Sequence, residues 1–259
     1  MPDALPRVRV DGRRPTADDL LPFALANDGH FTAMQVRDGA ARGVDRHLAR
    51  LTAAHHRLYG VGLDATRLRE LMREAVRAHP DCSLRVTVAQ PAGGPPRILT
   101  VVRPASDLAA GPAALRSTVW ARGVPEVKHV GTFPQIQLAR DAARAGYDDA
   151  LLVTATGEVG ETTIANIAFL RGEEVVWPAA PSLRGITQEL LTEALPGHGY
   201  RTTTEPIQLA DVGRFDAAVL TNSIGVAPIG RIDDHGYSDA TSAARALDDV
   251  YRSIPAQPL

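Results

Sequence analysis

The chain has 259 residues, 44% hydrophobic and 22% charged, with a formal net charge of −2, ordinary values for a soluble globular protein. That charge leaves no footprint for nucleic acid or an anionic membrane surface, and no apolar run approaches the roughly 18 residues that span a bilayer. A single cysteine, Cys82, permits no internal disulfide and no cysteine-based metal site, and "MPDALPRVRVDGRRPT" lacks the apolar core of a signal peptide, so a reducing cytoplasm is the expected setting.

In chain order, "RVRVDG" predicts a short strand and turn, and "HFTAMQVRDGAARGV" two strands around an Asp-Gly turn. "DRHLARLTAAHHRLYGVG" spaces Leu48, Leu51, Ala54 and Leu58 as one helix face and stops at Gly60; its His pair reads as helix surface. "DATRLRELMREAVRAHP" predicts a helix with Asp64 as N-cap, and "CSLRVTVAQ" with "PRILTVVRP" a strand pair around "PAGG". Residues 104–114, "PASDLAAGPAA", form the expected linker between a smaller domain at 1–105 and a larger one at 115–259. Beyond it, "LRSTVWAR" predicts a strand, and Thr132 with Pro134 opens a helix that Gly146 ends. "DDALLVTATGEVGETTIANIAFLRGEEVVWP" predicts three strands, and "GITQELLTEALPGHG" a helix with Thr187 as its N-cap. "FDAAVLTNSIGVAPIGRI" reads as strand, polar break, strand, and "SAARALDDVYRSI" as a closing helix. Strands and helices mix without regular alternation, which favours α+β over a doubly wound sheet.

Lys and Arg together number 28, and Lys128 in "EVKHVGTFPQ" is the sole lysine, leaving 27 arginines. Heavy Arg, Ala and Gly usage reflects GC-rich coding, under which a lysine serving only as surface charge drifts to arginine. Lysine differs from arginine in being able to lose its proton and attack a carbonyl as a free amine. An imine with pyridoxal phosphate needs a phosphate cradle and a partner for the pyridine nitrogen. Gly185, Ile186 and Thr187 open a helix whose free N–H groups suit a phosphate. Thr221, Asn222 and Ser223 interrupt an apolar strand, and Glu161, in "GEVGETTIAN" with Thr162, Thr163 and Asn166, is a carboxylate for the nitrogen; each pattern alone also fits a simple cap, bulge or turn.

In this order the motifs resemble those of the fold-type IV, or class IV aminotransferase, family of pyridoxal phosphate enzymes. That family includes branched-chain and D-amino-acid transaminases and 4-amino-4-deoxychorismate lyase. The likeness runs from "HLARL" (47–51) through "VKHVGTF", "DAARAGYDDALLVTATGEVGETTIANIAF" and "LRGITQELL" to "LTNSIGVAPI", covering about residues 29–232. It implies an α+β protein of two α/β domains with the cofactor in the cleft between them, in a homodimer. It also implies a Schiff base at Lys128, with that amine as proton shuttle. Arg50, the amides of Ile186 and Thr187 and the Ser223 hydroxyl beside Asn222 would hold the phosphate, and Glu161 the pyridine nitrogen. Phe31, Thr163 and Arg97 fall at substrate-side positions, Arg97 in a shortened "AQPAGGPPR" loop.

The first function this implies is amino transfer from a small or medium amino acid. The second is lyase chemistry on amino-substituted chorismate, giving p-aminobenzoate and pyruvate. "FTAMQVRDG", "KHV" and "TNSI" are lyase-like, and Phe133 stands where branched-chain transaminases carry a tyrosine. A third reading keeps the fold as a binding module without catalysis. The scattered histidines form no metal-ligand spacing, and the glycine-rich stretches lack the strand and helix context of a dinucleotide loop.

Overall fold

The computed structural model describes residues 6–108 and 111–259, so within the 104–114 segment Ala109 and Ala110 lie outside the described residues, as do the first five residues of the N-terminal stretch. The chain forms two compact units. The first takes the described residues up to Asp107 together with Val127–Gly131 and Pro255–Leu259; the second takes those from Leu108 to Glu126 and Thr132–Ile254.

The first unit opens with β1 (Arg7–Val10) and α1 (Ala17–Ala24). This helix has no counterpart in the expected elements, because Pro22 lies within it and speaks against a helix. A capping box outweighs the proline: the Thr16 hydroxyl accepts from the Asp19 amide while the Asp19 carboxylate accepts from the Thr16 amide. There follow β2 (His30–Val36), β3 (Ala40–Ala41), α2 (Val44–Tyr59), α3 (Ala65–Val76), β4 (Cys82–Ala89) and β5 (Arg97–Arg103). Gly60 ends α2 in the left-handed conformation at φ 70°, which glycine adopts without Cβ strain. Asp64 caps α3 through the Arg67 amide. The strands form an antiparallel sheet in the order β1-β5-β4-β2. Alternate residues of β2 and β4, among them Met34, Val36, Leu84 and Val86, bury against Leu48 and Leu51 of α2 and Leu68, Leu71 and Met72 of α3.

The second unit begins with β6 (Ala113–Val119), whose first two residues take the end of the expected linker, and α4 (Phe133–Arg144). The region expected to hold three strands holds four: β7 (Asp149–Val153), β8 (Val159–Thr162), β9 (Asn166–Arg171) and β10 (Glu174–Pro178). The extra break is the turn at 163–165, closed when the Thr162 amide donates to the Ala165 carbonyl and the Thr162 hydroxyl accepts from the Ala165 amide. Helix α5 (Ile186–Ala194) starts two residues earlier than expected: Gly185 is its N-cap and Thr187 lies inside the first turn. Strand β11 (Arg201–Glu205), absent from the expected elements because its polar "RTTTE" shows no apolar face, pairs in parallel with β10. Then come β12 (Ala217–Asn222), β13 (Gly225–Ile232), β14 (His235–Gly236) and α6 (Ala240–Ser253). The chain returns to the first unit as β15 (Gln257–Pro258), which pairs with β3.

In the second unit the pairing path runs β11-β10-β9-β12-β13-β6-β7-β8 and then returns to β9, so six of its strands form a closed ring. The closing contact is one register pair, Glu161 opposite Asn166. Phe169, Leu115, Leu151 and Ile167 fill one core, and Trp177, Leu191 and Leu247 pack another against α5 and α6. Among the described residues no helix is long and apolar enough to cross a membrane.

The first unit also buries imidazoles. His55 is fully buried rather than on the helix surface, its Nδ1 lying 3.2 Å from Nε2 of the equally buried His30; only His56 of the pair is exposed. His47 Nδ1 lies 2.6 Å from the Thr32 hydroxyl. Burial, then the Arg50 and Lys128 cations, lowers the His47 pKa to about 3, and burial followed by His55 lowers that of His30 to about 4. Unfolded imidazoles take up their protons near pH 6.5, so between that value and about 3 the unfolded chain binds more protons and stability falls as pH falls. The urea midpoint should therefore drop on acidification from pH 6.5 to 4. His47→Gln should flatten that slope by about one proton, roughly 1.4 kcal/mol per pH unit; an unchanged slope would contradict a neutral buried His47. Separately, Leu51→Ala should cost about 2–5 kcal/mol of stability in urea unfolding, against a negligible loss if the α2 contact carried little of the core.

Candidate functional site

Lys128 belongs to a short segment, 127–131, that pairs beside the start of β2. The Phe31 amide donates to the Lys128 carbonyl at 2.8 Å, the Val130 amide to the Gly29 carbonyl at 2.9 Å, and His30 bridges His129 in antiparallel fashion. Position 29 accepts only glycine without a shift, since an added Cβ would come within 2.9 Å of the Val88 carbonyl. The lysine backbone is therefore fixed to a sheet edge, while its Nζ stands 5.1 Å from the centroid of the buried Phe31 ring. The Arg85 guanidinium lies 3.6 Å from the same centroid, so two cations share this aromatic. Arg50, half-buried on α2, comes one turn after His47, and both it and Lys128 act electrostatically on that imidazole. Lys128, Phe31 and Arg50 thus fall in one neighbourhood of the first unit.

Arg97 does not join them. Its Nε donates to Asp11 Oδ2 at 2.6 Å and its Nη2 to Asp19 Oδ1 at 2.8 Å. Backbone and hydroxyl bonds from Thr16, together with Arg97, hold Asp19 well below the usual carboxylate range. This guanidinium ties β5 to the N-terminal segment, and an incoming carboxylate would have to displace two resident ones. The expectation that Arg97 meets substrate is corrected on that ground.

In the second unit Glu161 is buried on β8, and Arg122 Nε donates to its Oε1 at 2.7 Å, with both side chains at most 6% exposed. The Leu183 amide donates to the same oxygen at 3.4 Å. Asn166, opposite Glu161, donates through Nδ2 to the Leu183 carbonyl at 2.6 Å. Leu183 therefore meets the acid through its amide and Asn166 through its carbonyl. Two residues later the chain enters α5, whose first turn has no side-chain cap. The Thr187 hydroxyl donates to the Asn222 carbonyl at 2.7 Å, which joins this first turn to the end of β12. The Asn222 side chain accepts from the Ile224 amide at 2.9 Å, and Ser223 sits in the tight turn to β13. Thr163 is committed elsewhere, donating to Asp149 Oδ1 at 2.6 Å; burial raises the Asp149 carboxyl.

Glu161, Ile186, Thr187, Asn222 and Ser223 therefore belong to one connected patch of the second unit, an arrangement that can bind an anion at α5 and present a buried carboxylate nearby. Sequence reading missed Arg122, one arginine among 27, and gave Asn166 no role. Thr32 and His47 were quoted only within their motifs, because a hydroxyl–imidazole contact across 15 positions has no local signature. Among the described residues no cluster of three or more His, Cys, Asp or Glu is suited to a metal ion.

A probable branched-chain-amino-acid aminotransferase of Rickettsia felis is 29% identical over 122 residues, 44% of this chain and 42% of that protein, so the chain spans under half the length of that relative. A bifunctional aminodeoxychorismate lyase / D-amino acid transaminase of Mycobacterium tuberculosis is 27% identical over 243 residues, 82% of this chain and 83% of that one. A hypothetical aminotransferase from Mycobacterium tuberculosis, solved in a PLP-bound form, shares the fold with a TM-score of 0.80 at 24% identity, covering 95% of this chain and 99% of that chain. The sequence pattern of the amino-transferase class IV family matches residues 29–232, and with that span covering most of the molecule, the chain belongs to the class IV aminotransferase family.

Proposed function

We propose that the protein is a pyridoxal 5'-phosphate enzyme that transfers the amino group of a small or medium amino acid, with Lys128 as its catalytic amine. What carries the reading is the placement of the sole lysine: its backbone is fixed to β2 and its amine stands beside the buried Phe31 ring. The donor set fits the cofactor. An α-helix without a side-chain cap offers amides and the positive end of its dipole to a phosphate, and Glu161 is a carboxylate already shielded from water. Bound pyridoxal phosphate supplies an aldehyde for covalent attachment and an electron sink for carbanion chemistry. In this reading Arg50 and the amides of Ile186 and Thr187 hold the phosphate, with the Ser223 hydroxyl and Asn222 beside them. Glu161 balances positive charge on the pyridine nitrogen. The Lys128 amine takes the proton from the substrate α-carbon and returns it. Phe31 borders the substrate, and Thr163, its hydroxyl already given to Asp149, lies on that side without donating to it.

A second reading, the lyase that forms p-aminobenzoate and pyruvate from aminodeoxychorismate, is supported by the 27% identity to the bifunctional mycobacterial protein. The Thr32–His47 contact also gives the lyase-like "FTA" threonine a structural duty. A homodimer in a reducing cytoplasm accords with the large apolar side chains exposed at Val119, Phe133 and Ile164 and with the unpaired, buried Cys82.

Lys128→Ala and Lys128→Arg should both fold, and both should lose turnover by several orders of magnitude and all cofactor attachment at position 128 after borohydride reduction, read by peptide mass. An active arginine variant would refute the amine's role. Aminodeoxychorismate supplied without any keto acid separates the two reactions: pyruvate release supports the lyase, and its absence alongside amino transfer from an amino-acid donor supports the transaminase.

A further inference from the structure

Asn166 meets three of the elements assigned to the cofactor. It is the register partner of Glu161 on β8 and of Thr221 on β12, and directly opposed residues in a sheet place their side chains on one face. Its own side chain is buried. Nδ2 is spent on the Leu183 carbonyl at 2.6 Å, in the strap that leads into α5. Oδ1 occupies the space beside the Gly185 backbone, where a Cβ on residue 185 would overlap it. Gly185 is at φ −74°, a conformation open to any residue, so its glycine is explained by this contact rather than by backbone freedom. The same strap bonds Glu161 through the Leu183 amide.

We propose that Asn166 is a positioning residue that sets the N-terminus of α5 relative to Glu161 and so fixes the distance between the phosphate-holding amides and the carboxylate. The proposal rests on the cofactor reading above and adds a residue to it. Asn166 acts through Leu183 and Gly185. Thr187, bonded to the Asn222 carbonyl, fixes the second side of the same turn, so loosening Asn166 shifts the amides without detaching the helix.

The test compares affinity for pyridoxal 5'-phosphate with affinity for pyridoxal, which lacks the phosphate, by calorimetric titration of the unloaded protein. Wild type should prefer the phosphorylated form. Asn166→Ala should lower affinity for it by about tenfold to a hundredfold, the worth of one or two hydrogen bonds to a charged group, with pyridoxal affinity and the thermal midpoint changing far less. Gly185→Ala, which keeps the asparagine but displaces Oδ1, should give the same selective loss and serves if Asn166→Ala does not fold. The double variant should lose no more than either single one, since both break one contact. Equal losses for both ligands, or an unchanged preference for the phosphate in folded variants, would overturn the proposal while leaving the cofactor reading intact. A wild type with no preference for the phosphate would overturn the cofactor reading itself.

Discussion

The second unit depends on a single cross-strand pair. Glu161 opposite Asn166 is where the path of strands from β9 through β12, β13, β6, β7 and β8 meets itself. Closing a sheet removes its open edges, yet here β8 and β9 share one register pair, so the ends beside it diverge. Polar side chains occupy that divergence: Glu161, Arg122 and Asn166 are all buried there. Burying a guanidinium and a carboxylate costs several kcal/mol per ion unless each finds its partner, and leaving one alone costs about 3–5 kcal/mol. The 2.7 Å contact between Arg122 and Glu161 meets that demand. The closure of the fold and the presentation of a buried acid are the same event.

The first unit, besides its Asp19–Arg97 pair, keeps two buried imidazoles uncharged. Thr32 and His30 are inward-facing residues of β2, and each meets an imidazole of α2, His47 and His55. Burial keeps His47 and His30 neutral well below neutral pH. A charged imidazole at His47 would repel the Arg50 and Lys128 cations that already act on it. Neutrality there adds no further positive charge beside Arg50 and Lys128.

Much of this is legible in the sequence where a local pattern governs. The apolar spacing of α2, the Asp64 cap of α3, the strand pair around "PAGG" and the Gly-Ile-Thr opening of α5 all depend on neighbours within a few residues. Lys128 stands out as the one lysine of the chain, and Glu161 only through its place in the "GEVGETTIAN" run. What escapes is set by long-range contact. Helix α1 depends on a reciprocal Thr16–Asp19 cap and on Arg97 from 78 positions away. Strand β11 has no apolar alternation and exists because β10 offers it an edge. Arg97, read as a substrate clamp from its loop, is a strut because Asp11 and Asp19 reach it first. Thr187 reads as a cap from composition, but Gly185 takes that place, at a position where Asn166 leaves no room for a side chain.

These contacts sharpen the meaning of the one lysine. Arginine serves this fold as mortar: Arg97 bridges Asp11 and Asp19, Arg122 bonds Glu161, and Arg171 bonds Glu174 through two nitrogens. The guanidinium suits that work, since it stays charged and donates in a fixed planar fork. An ammonium would serve most of these places less well, and coding bias alone would remove it from the rest. An amine that can become neutral is the property arginine lacks. Lys128, with its carbonyl bonded to the Phe31 amide and its Nζ near the ring of that residue, has a fixed backbone and an aromatic neighbour. A surface charge needs neither, whereas a nucleophile that must return to one position at every turnover needs its backbone held still.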